Sequence, residues 1–444
     1  MSVKRTIDNR LLEWKAATRR KPLIIRGGRQ VGKTWAVDAL GRAHFAGYIK
    51  IDLEKRLDLH RVFQGNLESK ALLAQLALAA GEHIKPGETL LFFDEIQSCP
   101  RALTALRYLY EEVPDLHVIA AGSLLEFALD EISFPVGRVQ FLNMYPLTFA
   151  EFVLAQDNQP LFDVLQQGPA ELSDVAHELL LQQLKNYFFV GGMPEAVVAW
   201  LRDRSMLDAF EVHSEILDAY RRDFAKYAPR ADKHCLDQVF ANCAIKVGEQ
   251  IQYSKLADGF SNKTIHHAFD LLCNAEVLHK VPATKTPGLP LGSSANNKKF
   301  KVSVIDIGLM QRMSRLPVDV EIRHDDLLDI YRGKLAEQFV AQELLVTQNR
   351  ELYYWAREER NAAAEVDYLI QSSGQVYPIE VKSGKGGSLK SLRLFLDTYA
   401  ACPEGLVLYS GRYSMPPGQK LRFVPLYFAG AELGESARST SRFP

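Results

Sequence analysis

The sequence predicts an α/β protein of several domains, and three observations carry that prediction. An apolar run, Leu23-Ile24-Ile25, feeds a glycine-rich loop and then a helix-compatible run from Trp35 to Leu40. Buried-strand runs alternate with helical stretches through residues 1–150, the pattern of a parallel sheet covered by helices. After a long helical stretch, alternating strands return at Leu352–Trp355, Ala364–Ile370 and Val376–Val381.

The bulk numbers narrow the function classes. With 444 residues, 47% hydrophobic and 24% charged, the chain has ordinary globular composition and length for two to four domains. A net charge of -1 gives no whole-molecule basic field, so any nucleic-acid surface has to be local. The 5 cysteines form no C-x-x-C pair, and they read as small buried hydrophobes in a reducing compartment. No apolar run lies between Met1 and Lys21, and runs such as Ala71–Ala80 are too short to span a bilayer. A soluble cytoplasmic protein with no membrane partner is expected.

The elements follow in order. Ile7–Ala17 has helical spacing. Gly27-Gly28-Arg29-Gln30-Val31-Gly32-Lys33-Thr34 then matches G-x-x-x-x-G-K-[ST], with a strand before it and a helix after it. In that context the glycines let successive N–H groups point at phosphate oxygens, and the helix N-terminus adds its dipole. Lys33 is expected to reach the β- and γ-phosphates of ATP, and Thr34 to offer its hydroxyl to Mg2+. Gly47–Leu53 reads as a strand and Leu67–Ala80 as a helix. Thr89-Leu90-Leu91-Phe92-Phe93 is a strand ending in Asp94 and Glu95. Asp94 is expected to hold Mg2+ and Glu95 to polarise the attacking water. An acid pair after a buried strand also suits a turn or helix cap; the upstream phosphate loop favours the functional reading. Pro100–Tyr110 is a helix and His117–Ala121 a strand. Ser123 at its tip is either a γ-phosphate sensor or the N-cap of a helix over Leu124–Leu129. Arg138, before a strand at Val139–Leu142, is either a finger on a phosphate of its own or a neighbouring site, or a surface charge.

Here the chain resembles the AAA-type ATPases of bacteria and archaea that are joined to an uncharacterised C-terminal domain. The phosphate loop, FFDEIQ, AAGSLLEF and GR followed by YPLTFAEF carry the likeness, and it reaches Gly191-Gly192-Met193-Pro194-Glu195 and Asp306-Ile307-Gly308-Leu309. The resemblance implies an additional-strand-catalytic-Glu (ASCE) sheet, in which the Asp94 strand does not adjoin the phosphate-loop strand.

Residues 151–230 read as a helical lid or connector, broken at Gly191-Gly192. Arg221, Arg222, Lys226, Arg230 and Lys233 form a basic cluster best read as a solvated helix face. Residues 231–315 look like a winged helix, with a short helix at Tyr253–Gly259, a second at Lys263–Ala275 and a strand from Val277. Lys263, His266 and His267 are expected on the exposed face of the second helix, where a major groove is met in helix-turn-helix proteins. Base-reading Arg and Asn are scarce there, and such small domains also serve only for packing. Thr284–Lys299 is Pro, Gly, Ser and Asn rich and is expected to be a mobile loop, before a strand at Phe300–Ile305.

The last constellation lies in residues 316–432. Glu337 falls in the first turns of a helix from Gly333 to Val346. One strand brings Asp367, and its partner after the Gly374 turn brings Glu380 and Lys382, two apart and so on one side. Asp367 and Glu380 suit Mg2+ through hard oxygens, with the Val381 carbonyl as a further ligand and Glu337 completing the shell. Lys382 would position the attacking water and stabilise charge on phosphorus. The region resembles the PD-(D/E)xK nuclease fold, departing from it in that Val366, not Pro, precedes Asp367. An edge hairpin with a Glu–Lys pair on its wet face is the plain alternative. Residues 433–444 are a polar tail expected to be disordered.

Two functions are consistent with this pattern. The first is an Mg2+-dependent ATPase coupled to a nuclease-like domain acting on DNA or RNA. The second is an ATP-dependent regulatory or assembly switch whose nuclease-like domain binds DNA, RNA or protein without cutting. Either is compatible with a homo-oligomer, and fold alone does not decide between them.

Overall fold

The computed structural model describes residues 3–125, 137–227, 231–286, 288–314, 329–359, 362–383 and 388–431. The chain forms two compact units: Ser2–Tyr145 with Asn274–Glu276, and Pro146–Cys273 with Val277–Pro444.

In the first unit, helix α1 (Thr6–Ala16) precedes β1 (Leu23–Arg26), α2 (Lys33–His44) and β2 (Gly47–Asp52). Then come α3 (Ser69–Ala80), β3 (Thr89–Asp94), α4 (Pro100–Glu112), β4 (His117–Ala121) and β5 (Gln140–Asn143). All strand pairs are parallel, in the order β2-β3-β4-β1-β5. β4 therefore separates β3 from β1, as the resemblance implied. Sequence pattern follows position in the sheet. The inner strands β3 and β4 are buried along their whole length and read as unbroken apolar runs, because helices cover both faces. The edge strand β2 alternates buried and exposed positions. The expected helix over Leu124–Leu129 falls mostly outside the described residues.

The second unit begins with helices α5 (Phe149–Leu154), α6 (Gln159–Gln167), α7 (Asp174–Val190), α8 (Pro194–Asp203) and α9 (Met206–Tyr227). Next are α10 (Lys233–Ile245), α11 (Asn262–Asn274), β6 (Leu278–Thr284), β7 (Ala295–Val304) and α12 (Ile307–Met313). It closes with α13 (Asp329–Thr347), β8 (Tyr353–Glu359), β9 (Ala362–Ser372), β10 (Gln375–Val381), α14 (Lys390–Thr398), β11 (Gly405–Tyr409) and β12 (Leu421–Pro425). One mixed sheet runs through it in the order β12-β11-β10-β9-β8-β6-β7. The β6–β7 hairpin is thus continuous with the strands that follow it.

Two expectations need correction. Tyr253–Gly259 is not a helix beyond one 3-10 turn at Tyr253–Lys255. Thr284–Lys299 is not loop throughout: β7 starts at Ala295, and Thr284 and Ser294 join their hydroxyls at 2.5 Å across the turn. Polar Asn and Lys residues obscured this strand because its outer end pairs only with β6. The polar tail at 433–444 lies outside the described residues.

The Gly191-Gly192 break and the Asp306 motif meet in one buried junction. Asp306 caps α12, its Oδ1 accepting from the Leu309 N–H at 3.0 Å, while its Oδ2 accepts from the Gly192 N–H at 2.6 Å. Gly191 has φ 66°, and a Cβ there would lie 2.3 Å from Asp306 Oδ1, so only glycine fits. These motifs fasten α7 to α12.

Candidate functional site

The glycine-rich loop leaves β1 and ends in α2, whose N-cap is Gly32. Gly27 has φ 146°, and a Cβ on it would fall 2.0 Å from the Met144 carbonyl oxygen. Gln30 holds φ 63°, an uncommon left-handed conformation of the kind found at ligand-binding loops. Val31 is buried, and its carbonyl accepts from Arg5 Nη1 at 3.3 Å. Lys33 is only 7% exposed, and its Nζ donates to the Gly27 and Gly28 carbonyls, each at 2.7 Å. Burial pulls the Lys33 ammonium down to about 8, outweighing the raising effect of Glu95. An ammonium held on neutral carbonyls in a buried loop of N–H groups suits a phosphate.

Around it stand the other expected groups. Thr34 Oγ1 donates to the Asp94 carboxylate, 3.1 Å from both oxygens. The register Asp52↔Asp94 sets β2 beside β3, and Lys50 Nζ reaches Asp94 Oδ2 at 3.1 Å and Asp38 Oδ1 at 3.5 Å. Burial raises the Asp94 carboxyl, and Lys50 opposes that rise. A threonine hydroxyl and a buried carboxylate in contact at the loop's end are a hard-oxygen pair that fits Mg2+. Glu95 follows in a left-handed conformation, φ 49°, and its Oε2 accepts from Gln97 Nε2 at 2.6 Å. The neighbouring Gly122 leaves room for Gln97, whose Oε1 would meet a Cβ there at 2.3 Å. Ser123 is 4% exposed, and its Oγ has no hydrogen-bond partner among the described residues.

Arg138 lies elsewhere. Its Nε donates to Glu111 Oε1 at 2.7 Å, at the end of α4. β5 runs parallel to β1 with Arg26 opposite Asn143. Arg138 therefore precedes the loop's level by about five residues, on the order of 15 Å of strand, at the opposite end of the sheet. Arg5, Lys50 and Gln97 were not expected from the sequence. Lys50 in GYIKIDL and Gln97 in FFDEIQ sit at recognisable places, but the strand register is what aims them.

The second constellation is brought together, with an addition. β9 and β10 pair antiparallel through Tyr368↔Ile379, and that register continued places Asp367 opposite Glu380. Asp367 Oδ2 accepts from the Val381 N–H at 2.8 Å, and Lys382 Nζ lies 2.6 Å from Glu380 Oε1. Burial and then Asp367 raise the Glu380 carboxyl to about 7. Its Oε2 is buried and without a hydrogen-bond partner among the described residues. The addition is Lys301 of β7, 2% exposed, whose ammonium lies 2.5 Å from Glu365 Oε1, 3.4 Å from Asp367 Oδ1 and 3.5 Å from Glu337 Oε2. Burial, followed by Asp367, raises Glu337 to about 8. Among the described residues no group of three or more His, Cys, Asp or Glu side chains is disposed to hold a metal. Asp367 is near both Glu337 and Glu380, and Lys301 reaches Asp367 and Glu337 together.

Comparison with known proteins agrees with the first unit's geometry. Residues 19–153 match the family model described as AAA domain. With its parallel sheet and loop, this unit is an AAA-type P-loop ATPase-like domain. Residues 181–319 match Domain of unknown function (DUF8612), and residues 332–429 match Domain of unknown function (DUF4143). No curated protein matches the chain. Among solved structures the chain is similar to the Walker-type ATPase PABY2304 of Pyrococcus abyssi, at 16% identity and TM-score 0.46, covering 71% of this chain and 96% of that one. Among the described residues no helix is long and apolar enough to cross a membrane.

Proposed function

We propose that the chain is an Mg2+-dependent ATP-hydrolysing switch whose C-terminal nuclease-like region engages nucleic acid or protein without cutting it. The observation that carries the first half is Lys33, buried on two loop carbonyls beside the touching pair Thr34 and Asp94. On ATP binding, Lys33 Nζ would exchange the Gly27 and Gly28 carbonyls for phosphate oxygens, and the loop N–H groups would take the rest of the charge. Thr34 and Asp94 would hold Mg2+, which supplies charge neutralisation between the β- and γ-phosphates. Glu95, steadied by Gln97, would accept the proton of the attacking water, and Ser123 would read the γ-phosphate. Arg138 faces away from its own loop, so a finger role requires a second copy and a homo-oligomer. The test is phosphate release from ATP in Mg2+: the reading expects turnover that Lys33→Ala and Glu95→Gln each abolish. Turnover unchanged in both would overturn it.

The second half is supported by the lysine among the carboxylates and by Lys263, His266 and His267, all exposed on α11 of the winged-helix-like segment. Cleavage of DNA or RNA by Asp367, Glu380 and Lys382 is the second reading, favoured by the 2.6 Å pairing of Lys382 with Glu380. Phosphodiester cleavage in Mg2+ by the wild type, lost in Lys382→Ala, would establish it.

A further inference from the structure

The carboxylates Glu337, Glu365 and Asp367 come from α13 and β9, and their oxygens surround one point within 3.5 Å. That point is the Lys301 ammonium. Three carboxylates this close repel one another in a half-buried place, and a cation among them relieves that repulsion. Lys301 is 2% exposed, with its ammonium 5.3 Å from the Tyr354 ring centroid. A lysine stem threaded through the interior to end in an acidic cluster is costly unless the cluster compensates it. Here it does: burial would lower the ammonium, but Asp367, Glu337 and Glu365 together hold it well above the ordinary lysine range. Asp367 is tied further by the Val381 N–H, and the Tyr368 hydroxyl donates to the Glu337 carbonyl at 3.0 Å, so the cage is braced from both sides.

We propose that Lys301 is the resident cation of this cluster, an ammonium built into the chain that takes the place of a divalent metal. The unit then holds its carboxylates together without metal, and β7 is tied by its lysine to α13 and β9. It follows that removing the ammonium while keeping the carboxylates leaves hard oxygens with no cation, which would have to close in from their present spacing to bind Mn2+ or Mg2+. The inference does not depend on ATP hydrolysis by the first unit.

The test is Mn2+ titration of the nucleotide-free full chain, with free Mn2+ read by electron paramagnetic resonance. The variants are Asp367→Asn, Lys301→Met and the double variant, with Asp94→Asn identifying any Mn2+ taken by the first unit. The expected result is no wild-type binding that Asp367→Asn removes. Lys301→Met should gain one tight Mn2+ per chain, lost again in the double variant. Wild-type binding abolished by Asp367→Asn would overturn the proposal, since a metal would then already be the cluster's cation. So would a folded Lys301→Met chain that gains no Mn2+. Should Lys301→Met fold poorly, Lys301→Gln provides the second arm. Its melting midpoint is expected below the wild type's and raised by Mn2+, while the wild-type midpoint is indifferent to Mn2+ or EDTA. A wild-type midpoint raised by Mn2+ and lowered by EDTA, an effect absent in Asp367→Asn, would contradict it.

Discussion

The phosphate site of the first unit and the carboxylate cluster of the second use the same ingredients differently. In each, a lysine from another strand stands on a carboxylate that sequence reasoning assigns to Mg2+, Asp94 in the first and Glu337 and Asp367 in the second. Lys50 is 30% exposed and shares itself between Asp38 and Asp94 at a site open enough to exchange partners. Lys301 is 2% exposed and is surrounded by three carboxylates. Burial decides the difference. A pair whose cation reaches solvent gives way more easily than one whose cation is buried, which is costly to break. The first arrangement suits a site that must take up and release a metal nucleotide, the second a site whose charge balance is fixed.

The largest expected effect lies in the first site. Lys33→Ala should reduce ATP turnover roughly a hundredfold or more, the scale of losing one charge-stabilising donor. Hydrogen exchange of the β7–β9 amides should be unchanged, because that cluster holds its own cation. Next comes the contrast between the two lysines. Lys301→Met should lower protection of the β7 and β9 amides by about 3 kcal/mol, leaving three carboxylates facing one another. Lys50→Met should cost under about 1 kcal/mol in the first unit. Equal losses would show that burial does not separate the two lysines.

The smallest effect is a pH dependence. Lys33 in the free protein loses its proton near pH 8 because burial disfavours the ammonium, and phosphate oxygens restore it. Binding of ATP therefore takes up a proton above about pH 8, and affinity should fall as pH rises through that value. Calorimetry in buffers of different ionisation heat would register the uptake. Proton release would contradict the assignment of Lys33 to the phosphates.

Much of the first unit was legible from local pattern. The strand–loop–helix context of the phosphate loop, and the unbroken run Thr89–Phe93 ending at Asp94, are signals a few residues long that full burial of β3 explains. The strand order was implied by the resemblance rather than by spacing. Arg5, Lys50 and Gln97 escaped notice because their partners are set by packing and register, not by sequence distance. Lys301 escaped for a sharper reason. It follows the exposed Lys298 and the half-exposed Lys299, so it reads as one more surface charge, although Phe300, Val302 and Val304 beside it mark a buried strand. A lysine inside such a run is the signal that could have found it. Asp367, Glu380 and Lys382 were found in the right mutual register, but the sequence did not reveal that a lysine far upstream would share their acids. The glycine and aspartate motifs at Gly191-Gly192 and Asp306 were visible as motifs, and only the hydrogen bond joining them shows their work to be packing.

The most direct measurement takes ATP hydrolysis and nucleic-acid cleavage from the same preparations in Mg2+, for wild type, Lys33→Ala and Lys382→Ala. The account predicts ATP turnover in the wild type and in Lys382→Ala, turnover lower by roughly a hundredfold or more in Lys33→Ala, and no cleavage of single- or double-stranded DNA or RNA by any of them. Wild-type cleavage that disappears in Lys382→Ala, or ATP turnover in Lys33→Ala equal to the wild type's, would contradict it.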